Sequence, residues 1–286
     1  MIVSIASGKG GTGKTLVATS LAHALRGRMP VTLLDCDVEE PNDHIYMKAR
    51  LVDSKPVTIP VPFVDESKCI SCGMCHDVCA FNAIAVMGSA VLVFKELCHG
   101  CGACTRFCPV GAITEEPHEI GVVEQGDAGG IDFVDGVLTI GQPMAPPIIR
   151  QVKKYVGAEG ATIIDASPGT SCPVVEAVKG SDFCVLVTEP TPFGLNDLRL
   201  AVETMRELEL PHGAVINRVG VGDARTEDYC REEGIPILMS IPLDERIARS
   251  YSRGVPLLEA LPEYRRPFLN LWDRIAELVH ERSRRS

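Results

Sequence analysis

The pattern Cys-x2-Cys-x2-Cys-x3-Cys occurs twice in this chain, as Cys69, Cys72, Cys75, Cys79 and as Cys98, Cys101, Cys104, Cys108. Ala83 and Ile84 follow the first run just as Ala112 and Ile113 follow the second, so the unit is an internal duplication with a period of 29 residues. Disulfides are the competing use of cysteine, but they belong to small secreted domains. Here eight of the 12 cysteines crowd into residues 69–108 of a 286-residue chain. Crowding of this kind reads as metal binding. Zinc sites also use Cys-x2-Cys pairs, usually separated by a longer loop than either run provides.

The spacing suits iron–sulfur cubanes. Three closely spaced thiolates wrap one face of a [4Fe–4S] cluster, and in the two-cluster ferredoxin arrangement the fourth cysteine of each run reaches across to the other cluster. The expected ligand sets are therefore Cys69, Cys72, Cys75 and Cys108 for one cluster, and Cys98, Cys101, Cys104 and Cys79 for the other. Pro109 follows the second run, whereas Ala80 stands where the first would carry its proline. Of the remaining cysteines, Cys184 and Cys230 read as packing residues. Cys172, between Gly169 and Pro173, is a candidate for cluster handling, although a structural thiol is the commoner outcome.

Outside this segment the texture changes to alternating strand and helix. Apolar runs at 2–6, 31–34, 162–164, 184–187, 214–216 and 237–241 alternate with segments of helical spacing such as Leu195, Leu198, Val202, Met205 and Leu208. The expected architecture is α/β: a doubly wound, mostly parallel sheet of the P-loop NTPase kind with a small α+β ferredoxin domain inserted. The boundaries expected are 1–59 and 118–286 for the two parts of the large domain and 60–117 for the insert. Residues 120–140 read as a ribbon leading back to the sheet, and residues 263–282 as a closing helix. A net charge of −10 argues against nonspecific nucleic-acid binding. With no apolar run of membrane-spanning length and no signal-peptide pattern, the expected location is the cytoplasm.

The segment Gly8-Lys9-Gly10-Gly11-Thr12-Gly13-Lys14-Thr15 fits the P-loop pattern and lies between a strand-like run and a helical one. Its glycines let successive N–H groups face phosphate oxygens, Lys14 is placed to neutralise the β/γ charge, and Thr15 is placed to ligate Mg²⁺. Asp35 and Asp37 end the second apolar run and Asp165 ends the run at 162–164. In open parallel sheets that is the edge where ligands bind.

Lys9 is not required by the general P-loop pattern. With it, Lys-Gly-Gly-Thr-Gly-Lys-Thr resembles the deviant Walker A motif of the MinD/ParA superfamily, which includes the nitrogenase iron protein and Mrp-like iron–sulfur carriers. The resemblance extends over nearly the whole chain, including Glu189-Pro190-Thr191-Pro192-Phe193-Gly194-Leu195 and the Gly141–Pro147 connector, and it is specifically to those members with an inserted ferredoxin domain. It implies a Mg²⁺-dependent ATPase that forms an ATP-dependent homodimer, or a heterodimer with a related ATPase, with Lys9 reaching the partner's ATP. It also implies that Asp35 and Asp37 are switch I acids, with Asp37 orienting the attacking water and Asp35 supporting it. Asp165 becomes the Walker B acid, in the outer shell of Mg²⁺. Asn217-Arg218 and Pro242-Leu243-Asp244 resemble adenine-side loops, where Asn217 offers a donor and an acceptor to the base.

Two functions follow from this reading. In the first, ATP/ADP exchange sets a dimer geometry coupled to electron transfer or to metallocofactor and iron–sulfur assembly for a client protein. In the second, the chain is a MinD/ParA-like spatial organiser with a structural or redox-sensing ferredoxin insert. An organiser needs a membrane-binding tail, and Leu271, Trp272, Ile275, Leu278 and Val279 with Arg282, Arg284 and Arg285 have that amphipathic pattern.

Overall fold

The structure is a computed structural model, and it describes residues 1–284. Arg285 of the basic tail lies outside the described residues. Eleven strands occur among them: β1 (Ile2–Ala6), β2 (Val31–Cys36), β3 (Arg50–Val64), β4 (Ile84–Met87), β5 (Ala90–Val93), β6 (Ile113–Asp127), β7 (Asp132–Leu138), β8 (Ala161–Ala166), β9 (Phe183–Thr188), β10 (His212–Val219) and β11 (Ile237–Pro242). Between them run α1 (Lys14–Leu25), α2 (Asp43–Met47), α3 (Met74–Asp77), α4 (Ala103–Phe107), α5 (Ala145–Val152), α6 (Cys172–Val178), α7 (Pro192–Glu207), α8 (Arg225–Glu232), α9 (Glu245–Tyr251), α10 (Leu257–Ala260) and α11 (Arg265–Ser283).

Nine strands form one sheet in the order β11-β10-β9-β1-β8-β2-β7-β6-β3. The strands from β11 to β7 pair in parallel, while β6 and β3 are antiparallel additions at one edge. Every residue of β2, β8 and β9 is buried, as expected of parallel strands covered by helices on both faces. One face packs on α1 and α11, where Phe268, Leu271, Trp272 and Ile275 join Leu21, Leu25 and Leu33 in a single core cluster. The amphipathic stripe of the closing helix is therefore spent on the sheet, where each large side chain contributes about 1.5–3 kcal/mol. No helix among the described residues is long and apolar enough to cross a membrane.

The strand β3 carries Pro56, Pro60 and Pro62, which in a sequence reading argues against a strand. Its place explains the exception, because β3 is the edge of the sheet and need not donate outward. It pairs along its length with β6, with Pro60 opposite Pro117 and Pro62 opposite Glu115. A proline facing a proline requires a non-hydrogen-bonded pair, in which neither N–H points at the partner strand. The two expected domain limits, 60 and 117, thus stand opposite each other in one ribbon. Beyond Gly121 that ribbon has lost β7 and continues as two strands into the cysteine segment.

That segment holds α3, α4 and the small β4–β5 hairpin. Its own core is Cys75, Ile84 and Ile113 with Val64, Val91 and Val93 around them. Ala83 and Cys98 instead join the cluster that contains Ile59 and Ile148 of the large domain. The cysteine segment is consequently packed onto the sheet as well as tethered to it.

Candidate functional site

The loop after β1 is shaped by its close neighbours. Gly8 packs so tightly on Asp197 that a Cβ would overlap the Asp197 carbonyl, and Gly11 and Gly13 have φ of 78° and 101°. Those left-handed values belong to glycine. Lys14 then opens α1, so the loop N–H groups and the positive helix end share one face. A cleft of about 410 Å³ lies against this face, lined by Gly11, Lys14 and Thr15, by Asp37, and by Asn217 and Asp244. Arg218, Pro242, Leu243 and Tyr251 complete the far side. The P-loop and the expected adenine-side loops are thereby brought together.

The acids divide into different jobs. Thr15 Oγ1 donates to Asp165 Oδ2 at 2.7 Å, and Asp165 Oδ1 is buried. Asp37 lines the cleft, where burial raises its carboxyl to about 6 against the opposing pull of Lys14. Asp35 turns its oxygens to the protein's own backbone. They accept from the N–H groups of Asp37 (3.0 Å), Asn42 (3.0 Å) and Asp43 (3.1 Å), so Asp35 shapes the loop that carries Asp37.

Asp43 carries no motif, yet it is fully buried and shares a hydrogen bond between carboxyl groups with Asp165. Burial first, and then Asp35 and Asp165, push its carboxyl well above the usual range. Burial raises Asp35, Asp43 and Asp165 alike, with repulsion adding to it at Asp35 and Asp43, and a divalent cation at Thr15 and Asp165 would favour their charged forms. Asp43 follows Pro41-Asn42, and a carboxylate at the start of a helix gives no sequence signal beyond an ordinary first-turn acid.

Asn217 lines the cleft and also binds the phosphate loop. Its Nδ2 donates to the Thr12 carbonyl at 2.8 Å, and its Oδ1 accepts from the Arg218 N–H at 2.9 Å. It therefore pins the phosphate loop, with one donor and one lone pair left. Lys9 extends from the loop to Glu189 at 3.8 Å, and the same buried carboxylate also binds Arg218. Glu189, too, was missed, since a glutamate at a strand end resembles any solvated acid.

The eight cysteines fall into two cavities. One is lined by Cys69, Cys72, Cys75 and Cys108; the other by Cys98, Cys101, Cys104 and Cys79. In each, two backbone N–H groups point at sulfur. Ser71 and Ala112 donate to Cys69 and Cys108 in the first, and Gly100 and Ala83 to Cys98 and Cys79 in the second, at 3.3–3.4 Å. No three His, Cys, Asp or Glu side chains among the described residues converge closely enough for a single metal ion. Four thiols around a void suit a polynuclear cluster, whereas zinc needs them converging on a point at about 2.3 Å. Cys172 is exposed at the start of α6, and Cys36, Cys184 and Cys230 are buried.

Residues 3–257 match the family model described as "CobQ/CobB/MinD/ParA nucleotide binding domain". An uncharacterized protein of Methanocaldococcus jannaschii is 30% identical, with 91% of this chain and 92% of that protein aligned. The iron-sulfur cluster carrier protein of Pyrococcus horikoshii is 24% identical over 90% of this chain and 78% of its own length. In fold, the septum site-determining protein MinD complexed with Mg-ADP from Pyrococcus horikoshii superposes with a TM-score of 0.59 at 20% identity, over 97% of this chain and 96% of that one. With the loop, cleft and acids described above, the match places this chain in the CobQ/CobB/MinD/ParA nucleotide-binding family, as a P-loop ATPase of the MinD/ParA superfamily.

Proposed function

We propose that this ATPase holds two [4Fe–4S] clusters in residues 60–117 and couples ATP-dependent dimerisation to electron transfer or cluster delivery to a cytoplasmic client protein. The observation that carries the proposal is the sorting of eight cysteines into two four-thiol cavities, each fed by two N–H···S bonds. The similarity to an iron-sulfur cluster carrier supports it. The burial of Leu271, Trp272 and Ile275 favours a carrier over a membrane organiser, because the tail's apolar face is already used.

In this reading Lys14 and the loop N–H groups bind the β- and γ-phosphates, and Thr15 with Asp165 holds Mg²⁺. The metal would neutralise phosphate charge, and the clusters would supply one-electron redox chemistry. Asp37 orients the water that attacks the γ-phosphate and accepts its proton. Lys9 exchanges Glu189 for the phosphates of the partner's ATP when two copies meet.

Anaerobic purification followed by iron and sulfide analysis tests the cluster assignment, with about eight of each expected per chain. Stoichiometric zinc without sulfide would sink it. Liposome sedimentation tests the organiser: binding only with ATP would overturn the carrier reading.

A further inference from the structure

The duplication supplies its own internal control. Positions 29 residues apart occupy equivalent places, and the N–H···S bonds match in number and length between the two cavities. The cavities differ in their surroundings. The one built on Cys98, Cys101, Cys104 and Cys79 abuts Pro60 and Pro62 of the ribbon, and two of its cysteines pack against the large domain's core. It is the inner site. The one built on Cys69, Cys72, Cys75 and Cys108 is the outer site, rimmed by exposed Ile70, Met74 and Val110.

Charge separates them further. The outer lining contains no ionisable side chain other than its cysteines, whereas the inner lining contains Glu115 and His99. Glu115 on β6 corresponds in the repeat to Val86, which lines the outer cavity. Its Oε1 lies over Gly102, 2.9 Å from where a Cβ would stand. His99 corresponds to Ile70, and its ring stacks on Phe81 with centroids 3.6 Å apart.

We propose that Glu115 sets the inner site at a lower reduction potential than the outer one, so that the outer site, beneath the Ile70, Met74 and Val110 rim, is reduced first. This rests on the two-cluster reading. The reason is Coulombic: adding an electron beside a fixed carboxylate is less favourable than adding it inside an uncharged lining. The backbone N–H···S bonds at 3.3–3.4 Å, another common lever on potential, pair off one for one between the two cavities. Any charge on His99 acts in the opposite direction and leaves the sign of the Glu115 effect unchanged.

The test is an EPR-monitored dithionite titration of the full chain, on protein first shown to hold its full iron and sulfide. Two midpoints are expected for the parent. Glu115→Gln should raise the lower one, by roughly a tenfold change in the reduced-to-oxidised ratio at fixed potential, which is about 59 mV for one electron. The higher midpoint should stay in place, and the shift should shrink in high salt because Glu115 is exposed. Val86→Glu should do the converse and lower the higher midpoint. If Glu115→Gln moves neither midpoint, or moves the higher one, the inference is overturned. Protein lacking the iron and sulfide would instead defeat the two-cluster reading itself, and the inference with it.

Discussion

Thr15 and Asp165, 150 residues apart in sequence, meet through a 2.7 Å hydrogen bond at the carboxyl ends of neighbouring strands β1 and β8. One belongs to the phosphate loop and the other to the strand beside it, so the bond fixes the distance between loop and acid before nucleotide arrives. Thr15→Val keeps the shape and removes the hydroxyl. It should raise the Mg²⁺ concentration needed for half-maximal ATP hydrolysis by tenfold or more, on the order of 1.4 kcal/mol or above. A Mg²⁺ titration of turnover decides, and an unchanged midpoint would remove Thr15 from the metal site.

Lys14→Ala should abolish ATP binding, since it deletes the buried charge facing the β/γ-phosphates. Asp37→Ala should bind ATP and fail to hydrolyse it. Fluorescent-nucleotide binding and phosphate release measured side by side separate the two. Parent-level turnover in Asp37→Ala would show that this acid does not position water.

Gly8→Ala tests the loop packing without touching chemistry. Its new methyl would collide with the Asp197 carbonyl at the start of a tightly enclosed backbone path. Overpacking of this kind costs about 1–3 kcal/mol. Denaturant unfolding should show that loss together with weaker ATP binding, while Gly10→Ala, whose Cβ would meet no protein atom, should leave the unfolding midpoint unchanged.

Burial, with a smaller push from Glu124, raises the Asp135 carboxyl to about 7. A raised acid keeps its proton in the fold after the unfolded chain has lost it, so stability should fall as pH rises from about 4 to about 7 and level off above. The slope from this group is at most about 1.4 kcal/mol per pH unit. His44 Nδ1 lies 3.8 Å from the carboxylate and would reduce the slope when protonated. Urea midpoints at pH 5 and pH 8 should differ less in Asp135→Asn than in the parent; equal differences would refute the assignment.

ATP binding and cluster redox state should be coupled. Asp35 and Asp43 shape the switch loop, α2 follows at once, and Lys48 and Ala49 alone separate α2 from β3, the strand that leads to the cysteines. Movement at the acids therefore reaches the ribbon through one short helix. Reciprocity requires oxidised and reduced protein to differ in ATP affinity by as much as ATP shifts the potentials, typically about 1–3 kcal/mol. Identical affinities, with potentials unmoved by ATP, would leave two independent modules on one chain.

The sequence by itself determined what depends on neighbours in the chain. Gly8 to Thr15, the strand runs and the two cysteine repeats each encode a local backbone path, and those paths are the ones observed. The proposed eight-cysteine partition rests on the same repeat, because one copy laid beside the other brings Cys79 and Cys108 across. Tertiary structure decided what depends on distant packing. Asp35 faces backbone N–H groups, Asn217 binds Thr12, and Glu189 joins Lys9 to Arg218. Each of these polar groups had several partners open to it in the chain. Folding selected the one it placed within reach, and burial penalises leaving Asp35 or Asn217 unpaired. The prolines of β3 teach the same point in reverse: a residue that opposes strand formation in isolation is accepted where an edge leaves its missing N–H without consequence.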